Sequence, residues 1–167
     1  LAIARGGTGA ATLAAAGITC TPNFLVTRTT SQTVVDNAKT KIEWDNEVYD
    51  TDSAFSSYKF TVPAGQAGKY FLYIAVDIGT SGSYGVLNPR AYLYKNGVSI
   101  YLFQGPNNAE GNDNYQVTGT IILDLAAADY IEIYIFQNAD GGGASRDVRT
   151  SGSLLYTYFG GYKIIGA

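Results

Sequence analysis

Side chains able to do chemistry are scarce in this 167-residue chain, which has no His and a single Cys, Cys20. Without His there is neither the commonest general base nor the commonest metal ligand, and no G-x-S-x-G run presents a Ser nucleophile. The carboxylate pairs Asp50/Asp52 and Asp140/Asp147 could in principle cleave glycosides, but acidic residues in polar, Gly-rich segments are turn formers first. The expectation is therefore no catalysis. Glu110, Asp113, Asp140 and Asp147 are hard oxygen donors that calcium could use, although nothing has EF-hand spacing; no other cofactor is implied. Gly6, Gly7 and Gly9 invite a phosphate-loop reading, which fails because no Lys follows and no strand precedes a long helix.

What remains is recognition. Three long polar segments, 77–89, 104–114 and 138–152, are rich in Asn, Asp, Ser, Gly and Tyr, the composition of adaptable contact loops in which Tyr anchors and small polar groups hydrogen-bond. Their candidate contact residues are Tyr84, Asn107, Asn108, Asn112, Asp113, Asn114, Asp140, Arg146, Asp147 and Arg149.

The elements that must carry these loops read as β-strands. Tyr58, Phe60 and Val62 alternate with Lys59 and Thr61, and Tyr70 to Val76 is apolar on both faces, so a near-edge strand and a central strand meet across Pro63 to Gly68. Asn96-Gly97 is a type I′ signal that pairs Ala91–Tyr94 with Val98–Phe103 as a hairpin. Further strands are expected at Phe24–Thr30, Lys41–Trp44, Tyr115–Leu125, Tyr130–Gln137 and Leu154–Ile165, with polar loops at Ser31–Thr40 and Asn46–Ser57. Fourteen Tyr, twenty Gly and only 15% charged residues agree with an all-β class. Tight connections at 63–68, 96–97 and 126–129 alternate with the long ones. In an antiparallel sandwich every second connection lies at the same end, so the long loops crowd one pole and the chain start lies at the other.

Several of these stretches resemble, in order, the globular heads related to the complement q subcomponent and the tumour necrosis factor jelly rolls: Trp44 to Asp50, KFTVP with GKYFLYIAV across residues 59–76, Ala91 to Gly97, Leu125 to Tyr134, and Tyr158 to Ile164. The resemblance covers about residues 41 to 167. It implies a two-sheet antiparallel jelly roll that assembles as a homotrimer, with an aromatic interface drawn from Tyr92, Tyr94, Tyr101, Phe103, Tyr134, Phe136, Tyr156, Tyr158 and Phe159. Where such heads carry Gly before an Asp, this chain has Ala128; positive φ would cost Ala about a kilocalorie or more, so a different turn is expected. Trp44 is expected to plug the core or an interface, and Cys20 to be a small buried hydrophobe.

Ahead of the head, Gly6 to Ile18 resembles the GGTGA-type segment of phage tail fibres, with a short helix over Ala10–Ala16 that needs identical copies to bury it. The expected division is a shaft-joining extension, 1–22, and a head domain, 23–167. The chain lacks Met, so Leu1 is not a translation start and a longer polypeptide is expected upstream. Net charge is −3 without a Lys/Arg cluster, which disfavours nucleic acid, and no apolar run is long enough for a membrane-spanning helix. The expected role is the distal tip of a phage tail fibre, on the virion. Its partners would be two identical chains, the upstream shaft and a host cell-surface receptor, with a glycan among the candidates. A structural trimerisation or capping piece of the virion, or a secreted cellular head of the same fold, is the alternative.

Overall fold

The computed structural model describes residues 20–79, 86–106, 114–139, 145–150 and 155–164. Among these the chain forms thirteen strands: β1 (Asn23–Thr27), β2 (Gln32–Val34), β3 (Lys39–Lys41), β4 (Asn46–Asp50), β5 (Phe55–Ser56), β6 (Lys59–Thr61), β7 (Gly68–Gly79), β8 (Val86–Lys95), β9 (Val98–Gln104), β10 (Tyr115–Leu125), β11 (Tyr130–Ala139), β12 (Arg146–Val148) and β13 (Tyr158–Lys163). One sheet runs β2-β12-β7-β13-β1-β4 with β10 on the free side of β7; the other runs β5-β6-β11-β8-β9 with β3 also against β11. The fold is the expected all-β, two-sheet antiparallel jelly roll.

Alternation along the long strands builds the core. Tyr70, Leu72, Ile74, Val76 and Ile78 of β7 point inward, as do Ile131, Ile133 and Ile135 of β11, the period-two consequence of a pleated backbone. Between the sheets the rings of Phe24 and Phe60 stack with centroids 4.5 Å apart, and Phe159 meets Phe24 edge-on at 5.0 Å. Trp44 is buried beside Phe159, as expected of a plug. A β-carbon on Gly119 of β10 would overlap the ring of Phe103 from β9, so glycine lets the edges of the two sheets close on each other.

β7 is the central strand of its sheet, paired with β10 along its whole length and with β13 and β12 on the other side. The expected pair across residues 63–68 does not form, however, because β6 and β7 belong to different sheets. The turn carries the chain from one layer to the other, and an apolar pattern does not distinguish a hairpin from a crossing between layers. The β8–β9 hairpin is present, with Asn96 at φ 53° and Gly97 at φ 78°. Ala128 takes φ 69° after all. The Asp129 carboxylate accepts from the Ala126 amide at 2.7 Å, and the Ala128 amide donates to Val62 O at 2.9 Å, which offsets the steric cost.

Several boundaries differ from expectation. β1 stops at Thr27, and β3 covers Lys39–Lys41 in place of Lys41–Trp44. Strands β2, β4, β5 and β12 lie in stretches that read as loops. Each has five residues or fewer, too short for its pattern to outweigh its polar composition. Cys20 is exposed, not buried: it precedes β1, and no strand among the described residues covers it. The expected Ala10–Ala16 helix lies outside the described residues.

Candidate functional site

The register separates the connections into two poles. Ile78 and Gly79 of β7 lie beside Tyr115 of β10 and Asp147 and Val148 of β12; across the sandwich Val86 of β8 faces Ala139 of β11. All three long connections leave from this end. At the other end the Asn96 amide donates to Tyr130 O at 3.0 Å, Ala128 reaches Val62, and the Lys163 amide donates to Pro22 O at 3.1 Å. The tight turns and the first described residues of β1 therefore share a pole opposite the long loops.

At the loop pole Arg149 is the organising side chain. Its stem lies where a Gly79 β-carbon would stand, its guanidinium sits 5.3 Å over the Tyr156 ring, and Nη1 reaches Asp77 Oδ1 at 3.5 Å. Burial raises the Asp77 pKa above its ordinary value, and Arg149 opposes the shift. Asp147 accepts from Thr33 Oγ1 at 3.2 Å, fastening β12 to β2. Beside them Asp45 accepts from the amides of Thr29 and Thr30 at 2.6 and 2.9 Å and from both hydroxyls. Partial burial raises its pKa, but these bonds outweigh that and leave it lowered.

Of the candidate contact residues, Asn114 is exposed at the pole and Asp147 and Arg149 are half-buried there. Arg146 is 2% exposed, and its Nη1 donates to Ser145 O at 2.9 Å. Tyr84, Asn107, Asn108, Asn112, Asp113 and Asp140 lie outside the described residues, as do the calcium candidates Glu110, Asp113 and Asp140. Among the described residues no three His, Cys, Asp or Glu side chains gather as metal ligands. Asp50 accepts from the Phe55 amide at 2.7 Å and Asp52 from Thr51 Oγ1 at 2.6 Å; both are turn formers.

The aromatic residues divide in a way their sequence positions did not reveal. Phe103 and Phe159 are buried in the core, Tyr101 is exposed on β9, and Tyr156 sits under Arg149. Tyr92, Tyr94, Tyr134 and Phe136 occupy the outer face of the six-stranded sheet, and Tyr158 the outer face of the seven-stranded one. The nine therefore do not form one surface. The seven-stranded face instead gathers Phe71, Tyr73, Tyr158 and Tyr162, with neighbouring ring centroids 5.4 to 6.2 Å apart, and Tyr49 with its hydroxyl 3.4 Å from that of Tyr73. Burial, then the Tyr49 contact, push the Tyr73 phenol above its usual range. The signal was the alternation of rings, Phe71 and Tyr73, with aliphatic Leu72 and Ile74 along β7.

This fold is a two-sheet jelly roll of the kind seen in complement and tumour necrosis factor structures. Solved structures sharing it include the globular domain of zebrafish complement 1qA protein (TM-score 0.57, 20% identity, 86% of this chain and 97% of that one). Murine APRIL at pH 5.0 (0.57, 15%, 85% and 98%) and Eiger TNF from S. frugiperda (0.59, 12%, 87% and 93%) share it too. By sequence the chain is similar to phage-like element PBSX protein XkdV of Bacillus subtilis strain 168, 27% identical over 131 residues. That match takes in 75% of this chain and 19% of the relative's length. No protein-family model matches the chain.

Proposed function

We propose that this chain is the head of a phage tail-fibre-type appendage, a non-enzymatic module that assembles as a homotrimer and docks its loop pole on a host-surface receptor. The observation that carries the reading is the segregation of poles: the strand ends flanking the long loops lie at one end, and Pro22, just before β1, lies at the other. A head mounted by its N-terminal side turns its most variable surface outward. Three weak sites on one rigid body then gain avidity without chemistry. The likeness to a protein of a phage-like element supports the virion setting.

The assembly has a matching pair of surfaces. The aromatic face of the seven-stranded sheet exposes Tyr49, Tyr162 and Ile122, the last of these on the free edge strand β10. The outer edge of the other sheet, β9, exposes Val98, Ile100, Tyr101 and Leu102. Exposed apolar groups clustered this way mark contacts, and an edge that meets a face is a heterologous contact, which forms a ring of three when each step turns by a third of a circle.

The test is saturable binding of the labelled protein to a panel of bacterial strains, with its solution mass measured alongside. Replacing residues 107–113 and 140–144 by short Gly/Ser turns should abolish binding and leave the mass unchanged. Unaltered binding overturns the loop-pole assignment; a folded assembly that binds no strain favours a structural cap.

A further inference from the structure

The outer face of the six-stranded sheet, which the proposed assembly leaves free, has a different chemistry. The paired strands place Lys39 and Lys41 of β3, Lys59 of β6 and Arg90 of β8 on it, against one carboxylate among the described residues of these strands, Glu132 of β11. Lys41 is neutralised by Glu132 at 2.6 Å. Among the described residues the other three have no carboxylate partner and rest on rings: Lys39 Nζ is 4.1 Å from the Tyr92 centroid and 3.2 Å from Tyr94 Oη, Lys59 Nζ is 4.3 Å from the Tyr130 centroid, and the Arg90 guanidinium is 5.8 Å from that of Phe136. Arg90 Nε is buried and without a hydrogen-bond partner. Tyr94 and Tyr134 pack between them at 4.3 Å.

A chain of net charge −3 thus leaves uncompensated cations aligned on one sheet face, held by aromatic rings instead of by acids. We propose that this face binds a linear acidic oligosaccharide. Aromatic rings offer apolar surface to the C–H faces of sugars, and the fixed cations offer charge to their carboxylates. From the Lys59 end to the Arg90 end the row follows β11 from Tyr130 to Phe136, about 20 Å at the rise of a strand. A single sugar cannot span it; an oligomer can. The rings separate this ligand from a bare polyanion, and the cations separate it from a neutral glycan.

The test uses the purified chain with polygalacturonate as probe, dextran as the neutral control and polyglutamate as the ring-free polyanion. Polygalacturonate should bind and weaken with salt, dextran should not bind, and polyglutamate should bind about tenfold more weakly. Lys39→Gln, an exposed substitution, and Tyr92→Leu should each weaken polygalacturonate about fivefold, with melting curves confirming the fold. Backbone NMR shifts on adding polygalacturonate should cluster at Lys39, Tyr92 and Tyr134. No binding at low salt, equal binding of polyglutamate, or shifts confined to Asn114 and Arg149 at the loop pole would overturn the proposal.

Discussion

The ring of Tyr73 lies against the α-carbon of Gly160, so that a β-carbon at Gly160 would overlap its Cζ and hydroxyl. Glycine here lets the ring lie flat on the outer face of the seven-stranded sheet. Gly160→Ala should lift Tyr73 off the sheet and cost about 1–3 kcal/mol, lowering Tm by several degrees. A β-carbon at Gly161 would point the other way, 2.5 Å from Leu72 Cδ2 and 2.9 Å from the Phe71 carbonyl oxygen. Because backbone cannot step aside as a ring can, Gly161→Ala should cost more. Equal losses in thermal melts would contradict the assignment of faces.

Asp129 is held by Lys95 and Asn96. Lys95 Nζ lies 2.7 Å from its Oδ2, and Asn96 Nδ2 donates to Oδ1 at 2.7 Å. Bonds from Lys95, then Asn96, lower its pKa from 3.8 to about 2, against a small opposing effect of burial. A lowered folded pKa means stabilisation fully present above the unfolded value and lost as pH falls through the folded one. The Tm difference between the wild type and Asp129→Ala should therefore be full above about pH 4 and close as pH drops toward 2. At neutral pH it should be a few degrees, from about 1 kcal/mol of lost hydrogen bonding. A difference that grew on acidification would disprove this role.

Ala128 keeps a left-handed backbone at φ 69° beside that carboxylate. Glycine populates this region without a β-carbon penalty, so Ala128→Gly should stabilise by about 1 kcal/mol and raise Tm by about 2–4 °C. An unchanged or lower Tm would show that Ala pays no penalty in this turn.

How much of this was legible follows from pattern length. β7, β10 and β11 carry ten to twelve residues each, so their periodicity outweighs local composition, and Asn96-Gly97 names its own turn. Three-residue strands such as β2, β3 and β12 owe their conformation to partners far away in sequence. Val34 faces Arg146 and Lys41 faces Tyr134, pairings that no window of sequence contains. The opposition of poles was legible because it needs only loop lengths and antiparallel order. The two outer faces were not, since a Tyr reads the same whether it lies over a lysine, like Tyr92, or among other rings, like Tyr158. Ala128 misled because its compensation comes from Asp129 and Val62 together.

The proposed ring makes a prediction about mixtures. If the β9 edge of one chain seats on the aromatic face of the next, Ile100→Glu spoils only the edge and Tyr162→Glu only the face. Each alone should run as a folded monomer of 17.8 kDa, whereas the wild type runs at about three times that mass. Mixed, the intact edge of Tyr162→Glu can still meet the intact face of Ile100→Glu, but the ring cannot close, so light scattering should find a one-to-one dimer. Lys39→Glu, on β3 and separated from the β9 edge by β11 and β8, should leave the trimer untouched. An isologous contact would behave differently, because one residue set would serve both partners and each mutant would spoil both halves. Monomers in the mixture, or a trimer lost with Lys39→Glu, would therefore reject the edge-on-face arrangement.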